Sequence, residues 1–151
     1  MALSHVEDSG NLNMVDVSAK DTVKRTARAK GKINMKMETL ELLKQGALKK
    51  GDALACARVA GITGAKRTSD LIPLCHNIFI DRIGVEFQFC DDGVEITSET
   101  LCTARTGIEM EALTAVSLAA LTIYDMCKAV DKEMVISDIR LVEKKKERLK
   151  S

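Results

Sequence analysis

The chain has 151 residues, with 23 Lys and Arg set against 22 Asp and Glu, for a net charge of +1 at pH 7. That balance offers no general attraction for nucleic acid or a membrane surface and leaves only local basic clusters as phosphate sites. Aromatic residues at 3% with no Trp exclude a base-stacking platform, and five cysteines (Cys56, Cys75, Cys90, Cys102, Cys127) with no C-x-x-C pair read as reduced thiols of a cytoplasmic protein, not a disulfide frame or zinc site.

The length predicts one domain spanning 1–151 with a modest core. Residues 1–13 are polar and aperiodic, which predicts a mobile terminus without a signal-peptide core, and His5 there reads as a surface residue. Met14–Val17 looks extended. Lys20, Lys24, Arg25 and Arg28 form a basic cluster, read either as a solvated edge strand or as a phosphate site. Ala27 to Met35 alternates as a strand, and Met37 to Leu48 carries Leu40, Leu43 and Ala47 at helical spacing. Asp52 is placed to cap a second helix over 53–70, beside Lys50, where the helix N-terminus favours an anion. Ala53, Ala55, Ala57, Ala60, Gly61, Gly64 and Ala65 make that helix narrow. Each glycine weakens it by about 1 kcal/mol relative to Ala, so close packing is the expected reason for them. Lys66 and Arg67 are either a solvated face or anion contacts.

The only proline, Pro73, opens a loop containing Leu74, Cys75, His76 and Asn77. Adjacent Cys and His suggest a nucleophile and its base, or simply a packed thiol beside a hydrogen-bonded imidazole. Ile83, Val85, Phe87 and Phe89 alternate as a half-buried strand. A turn over 90–93 follows, with Gly93 expected to supply a positive φ, and a return strand runs from Val94 toward Thr103. A long apolar helix from about Gly107 to Val130 comes next, although no apolar run in the chain approaches the length of a membrane span. The last strand, Met134 to Val142, is expected to point Ile139 and Leu141 inward and Arg140 outward, and 144–151 is expected to fray. The order β, α, α, β, β, α, β predicts an α+β fold. Its antiparallel sheet has about four strands, with helices on one face.

The long helix carries Glu109 and Glu111 at its start and Asp125 and Lys128 near its end, a conflict with its apolar character. Glu111 and Asp125 are 14 residues apart, about 21 Å on an unbroken helix, too far to share one reacting centre in one chain. Either the glutamates serve the helix N-terminus, or two subunits bring Asp125 and Lys128 of one chain to Glu111 of the other. Asp125 and Lys128, three apart on one face, read equally as a buried ion pair or as a catalytic acid/base with a charge partner.

The stretches TGIEMEALTA (Thr106–Ala115) and ALTIYDMCKAV (Ala120–Val130) resemble the cyclic pyranopterin monophosphate synthase family, the C protein of molybdenum cofactor biosynthesis. MVDVSAK (Met14–Lys20), KGD (Lys50–Asp52), ARVAGI (Ala57–Ile62) and AKRTSDLIPLCH (Ala65–His76) carry the same resemblance, which covers nearly the whole chain. It implies a ferredoxin-like fold and a hexamer built as a trimer of dimers, with sites at the dimer interface. The implied reaction rearranges a GTP that an upstream radical enzyme has cyclised and releases diphosphate. By the same resemblance Asp125, Lys128 and Lys50 are catalytic. Leu74, Cys75, His76, Met110, Glu111 and Glu109 bind substrate, and Lys20, Arg25, Lys66 and Arg67 are phosphate contacts. Cys75 is not expected to be a nucleophile, and Asn13 stands where some members have His. No resident cofactor or metal is implied; Mg²⁺ enters only as a companion of the triphosphate, for which the sequence shows no dedicated carboxylate cluster. The competing reading is a non-catalytic nucleotide-binding oligomer, motivated by the basic 20–28 cluster and the apolar helix.

Overall fold

The computed structural model describes residues 5–150. Eight elements follow in order: β1 (Val23–Asn34), α1 (Met37–Gln45), α2 (Ala53–Lys66), α3 (Thr68–Leu71), β2 (Arg82–Cys90), β3 (Gly93–Ala104), α4 (Glu109–Cys127) and β4 (Val135–Glu147). The sheet has four antiparallel strands in the order β2-β3-β1-β4, the ferredoxin-like arrangement. The helices pack on one face.

Alternation builds the sheet. Arg25, Ala27, Ala29, Gly31 and Ile33 of β1 are buried on the helix side, as are Val94, Ile96, Ser98, Thr100 and Cys102 of β3. Successive side chains point to opposite faces, so Lys24 and Arg28 lie on the open face while Arg25 lies under the helices. The basic stretch is therefore not one cluster. Nor is it an edge strand: β1 is paired on both sides, with β3 and with β4. On the open face Arg28 pairs with Glu99 and Glu143, and Lys30 with Glu95. Each such exposed pair stabilises little.

The centre of the helix-side layer is made of small residues, and this brings α4 close. A Cβ on Gly31 would stand 2.6 Å from Val116 Cγ1, one on Gly61 2.9 Å from the Ala115 carbonyl oxygen, and one on Gly64 2.8 Å from Leu118 Cγ. The two α2 glycines thus serve close packing, as their sequence context predicts. The two buried hydroxyls of β3 in this layer are satisfied: Ser98 Oγ donates to the Ala112 carbonyl at 2.7 Å, and Thr100 Oγ1 to the Ala27 carbonyl at 3.1 Å. By length and composition α4 would suffice to cross a membrane, contrary to the expectation that no segment would, but here it is the central core helix.

Other expectations need correction. α1 stops at Gln45, three residues early, because Gly46 takes φ 63° and its N–H closes on the Leu42 and Leu43 carbonyls. α2 ends at Lys66, and Thr68 Oγ1 turns back to bond the Ala65 carbonyl at 2.9 Å, starting the one-turn α3. Gly93 has no positive φ; it opens β3, and a Cβ there would run into the Ile33 carbonyl. Ile139 and Leu141 do lie on the helix side, Leu141 opposite Ala29 and Ile139 against Gly31, with Arg140 opposite Lys30 on the open face, but both stay exposed because β4 is an edge strand with two register shifts and a left-handed residue, Asp138 at φ 56°. Lys144–Glu147, expected to fray, pair with β1. Residues 5–13 form a small hairpin closed by a Val6–Leu12 bridge, while 1–4 lie outside the described residues.

One buried carboxylate ties the chain's two halves. Asp131, 1% exposed, accepts from the Lys36 N–H and Thr39 Oγ1, both at 2.9 Å, and from the Glu133 N–H at 3.0 Å. Burial opposes its charge, but these donors outweigh it and hold its pKa below the usual 3.8. Asp131→Ala removes an acceptor and leaves buried donors unpaired, a loss of about 3 kcal/mol in denaturant unfolding at pH 7. Because the folded pKa is lowered, the contribution is complete above about pH 4 and disappears as pH falls through the folded value. The stability gap between wild type and variant should therefore narrow in acid.

Candidate active site

Most of the residues singled out from the sequence gather at the two ends of α4. At its C-terminus, Asp125 sits between two ammonium groups. Lys128 Nζ lies 3.0 Å from Oδ1 and Lys50 Nζ lies 3.1 Å from Oδ2; Lys50 also donates to the Asp125 carbonyl oxygen at 2.9 Å. Lys128 stands one turn on along the same helix face, where the helix C-terminus favours a cation. Lys50 is delivered by the loop after α1, where Gly51 takes φ 107°, and by Asp52, whose Oδ1 caps α2 by accepting from the Ala55 N–H at 3.0 Å. All three side chains are about half exposed, so the pair is not buried. The ion pairs with Lys128 and then Lys50 hold the Asp125 carboxyl below its usual range.

At the N-terminus of α4 lies a cavity of about 330 Å³. Lys20, Leu74, Cys75, His76, Glu109, Met110 and Glu111 all line it, so seven of the expected substrate residues come together there. His76 Nε2 bonds the Val15 carbonyl. A carbonyl only accepts, so Nε2 carries a proton, and in the neutral ring Nδ1 is the acceptor. Glu109 Oε1 lies 2.7 Å from Lys144 Nζ of β4. Burial works against the Glu109 charge, yet the Lys144 pair outweighs it and lowers the pKa. Gly107 leaves the room this carboxylate occupies.

Glu111 is the opposite case. It is 4% exposed, and its Oε2 has no hydrogen-bond partner. Burial, with the charge of Glu109, raises its pKa. An unpartnered buried carboxyl lining a cavity is a group prepared for a ligand or a proton. Burial and the Glu111 charge also raise the Cys75 thiol, which argues against Cys75 as a thiolate nucleophile.

Three expected contacts fall elsewhere. Arg25 is buried against the core, and its Nε and Nη2 donate to the Ala104 and Arg105 carbonyls at 3.1 and 3.3 Å. It borders a neighbouring cavity of about 490 Å³, which Lys20 also lines. Lys66 lines a separate cavity of about 640 Å³ beside Phe79 and Arg82, and Arg67 is exposed at the junction of α2 and α3. Two groups at the Glu111 cavity lay outside the sequence reading. His5 lines it, and Lys144 anchors Glu109. Lys144 arrives by cross-strand register opposite Ala27, which no local pattern encodes. Among the described residues no group of three or more His, Cys, Asp or Glu could hold a metal ion.

α4 is unbroken from Glu109 to Cys127, so the two sets stand about 21 Å apart along it. The two ends differ in kind: carboxyl, thiol and imidazole groups line a cavity at one, and an exposed carboxylate sits between two ammonium groups at the other.

A model described as the MoaC family matches residues 14–147. The chain is 56% identical over 144 residues to a cyclic pyranopterin monophosphate synthase of Peptoclostridium acidaminophilum, covering 95% of this chain and 92% of that protein. It is 57% identical over 143 residues to the synthase of that name from Clostridium acetobutylicum, covering 93% and 89%. It is 55% identical over 145 residues to that of Desulfitobacterium hafniense, covering 95% and 89%.

The raised Glu111 pKa carries a stability consequence. Ionising a carboxyl whose folded pKa is raised favours the unfolded chain, so stability declines as pH climbs from the unfolded value of about 4.5 through the folded one. Glu111→Gln lacks that decline. Its unfolding midpoint should gain on wild type between pH 4 and pH 8, measured by denaturant titration.

Proposed function

The chain belongs to the MoaC family, and on that premise we propose that it converts 3′,8-cyclo-7,8-dihydroguanosine 5′-triphosphate to cyclic pyranopterin monophosphate with release of diphosphate. This is a lyase step of molybdenum cofactor biosynthesis, and it needs a small-molecule substrate supplied by a radical GTP cyclase. We read 1–151 as one domain, working in the cytoplasm with no resident cofactor.

The observation that supports the reading is two sets of ionisable residues at opposite ends of one unbroken helix. Met110, Leu121, Asp125 and Lys128 are all exposed along α4. A second copy running antiparallel against this stripe would seat the Lys50–Asp125–Lys128 cluster of one chain over the Glu111 cavity of the other, twice per dimer. Three such dimers make the hexamer.

The geometry then divides the labour. Asp125, ionised at neutral pH, accepts a proton from a substrate hydroxyl or amine. Lys50 and Lys128 neutralise the triphosphate and the diphosphate that departs when the cyclic phosphate closes on the α-phosphorus. Glu111, held protonated to higher pH, donates. His76, its Nε2–H fixed on Val15, offers Nδ1 as acceptor. Leu74, Cys75 and Met110 shape the cavity, and Lys20 extends it with positive charge. Arg25 supports the Ala104–Arg105 backbone beside the cavity.

Asp125→Asn should lower turnover of the cyclised triphosphate by roughly 10²- to 10⁴-fold with fold and assembly unchanged, read as diphosphate release and pterin fluorescence after oxidation. An active variant removes Asp125 from the mechanism, and inactive wild type removes the function.

The shared site has its own test. Asp125→Asn and Glu111→Gln, each inactive alone, should recover about a quarter of wild-type activity when unfolded together, mixed and reassembled. Statistical pairing then gives some dimers one site with both native residues. A mixture as inactive as its parts would place both residues in one chain's site.

A further inference from the structure

The chain has two histidines, and both line the cavity at the start of α4. Each ring is held by one nitrogen on a backbone carbonyl, and both carbonyls belong to the same short segment. His5 Nδ1 lies 3.3 Å from the Asn13 oxygen, and His76 Nε2 bonds the Val15 oxygen. Since a carbonyl only accepts, each bonded nitrogen carries the proton. The second nitrogen of each ring, Nε2 of His5 and Nδ1 of His76, is left without a hydrogen-bond partner on that carbonyl and accepts in the neutral ring.

His5 reaches the cavity through the hairpin of residues 5–13. The Asn13 N–H donates to the His5 carbonyl at 2.8 Å, Val6 bridges Leu12, and the Glu7 N–H donates to the Asn11 carbonyl at 2.9 Å. Gly10 makes the turn at φ 82°, and Asn13 Nδ2 donates to Glu7 Oε1 at 2.6 Å. The hairpin is well bonded internally but has no core of its own: Val6 and Leu12 are exposed, Leu12 at 75%. An element closed by a few bonds and lacking buried apolar contacts opens at low cost, the property of a lid. Residues 13–15 connect it to the wall of the cavity by gripping His76.

We propose that the hairpin of residues 5–13 is the lid of the substrate cavity and that His5 contacts the substrate when the lid is seated, donating or accepting one hydrogen bond. The proposal rests on the cyclase-product chemistry assigned above and adds a residue and a closing element to it. Asn13 holds His5 through its backbone carbonyl, while its side chain ties the hairpin to Glu7.

The test uses full-length protein and the cyclised triphosphate. Loss of one hydrogen bond predicts that His5→Ala raises KM roughly three- to tenfold, with kcat changed less than twofold and the melting temperature unmoved. His5→Gln, which keeps a donor and an acceptor, should recover part of the loss. Gly10→Val meets no neighbour but strains the left-handed turn; it should raise KM similarly, and less than multiplicatively in combination with His5→Ala. Gly10→Asn, which tolerates that conformation, should behave as wild type. Wild-type kinetics for His5→Ala overturn the proposal, as does a KM rise that tracks a lowered melting temperature without rescue by Gln. If wild type itself fails to turn over the substrate, the proposed function fails and this inference with it. An active wild type with an indifferent His5 defeats this inference alone.

Discussion

The close seat of α4 is the constraint on which the rest depends. Gly31 of β1 and Gly61 and Gly64 of α2 leave no space for a Cβ between their backbones and the side chains or carbonyls of α4. Ala112, Ala115, Val116, Ala119 and Ala120 fill the contact from the helix side, all fully buried. Close-packed interiors do not deform continuously, so α4 is a rigid rod with one rotation and one depth. The two ends of that rod carry its ionisable side chains, and their separation follows from helix rise alone. Asp131 adds the second restraint, joining the start of α1 to the segment after α4.

The ends differ in what they do to a carboxyl. At the exposed end two lysines hold Asp125 ionised. At the cavity end burial and a neighbouring charge keep a proton on Glu111 to higher pH. Environments that push two carboxyls in opposite directions separate the roles of acid and base. Glu109, between them in character, is kept ionised by Lys144 although it lines the same cavity. The contrast is set by surroundings, since Glu109 and Glu111 are chemically identical and two residues apart.

Much of this was legible in the chain. The alternation through Phe89, the cap at Asp52, the narrow face of α2 and the apolar length of α4 each correspond to an element that forms. The helical spacing of Asp125 and Lys128 was enough to place them together. What failed were features decided by partners distant in sequence. Lys24 to Arg28 read as an edge because nothing local says that β3 and β4 will flank it. Ile139 and Leu141 point inward as their alternation says but stay exposed, because alternation cannot show that β4 is an edge strand with two register shifts. His5 is at the surface, as its polar surroundings say, but a hairpin of polar residues shows no periodicity that would place it beside the cavity.

By itself, then, the sequence determined the element types, the rigid spacing of the two charged pairs on α4, and the family, because propensity, period and motif are local properties of the chain. Only the tertiary structure decided which side chains share a cavity and which carboxyl keeps its proton. It brought Lys144 to Glu109, His5 and Val15 to the cavity of His76, and Lys50 to Asp125. Those pairings depend on cross-strand register and on burial, and both are properties of the packed chain that no local segment contains.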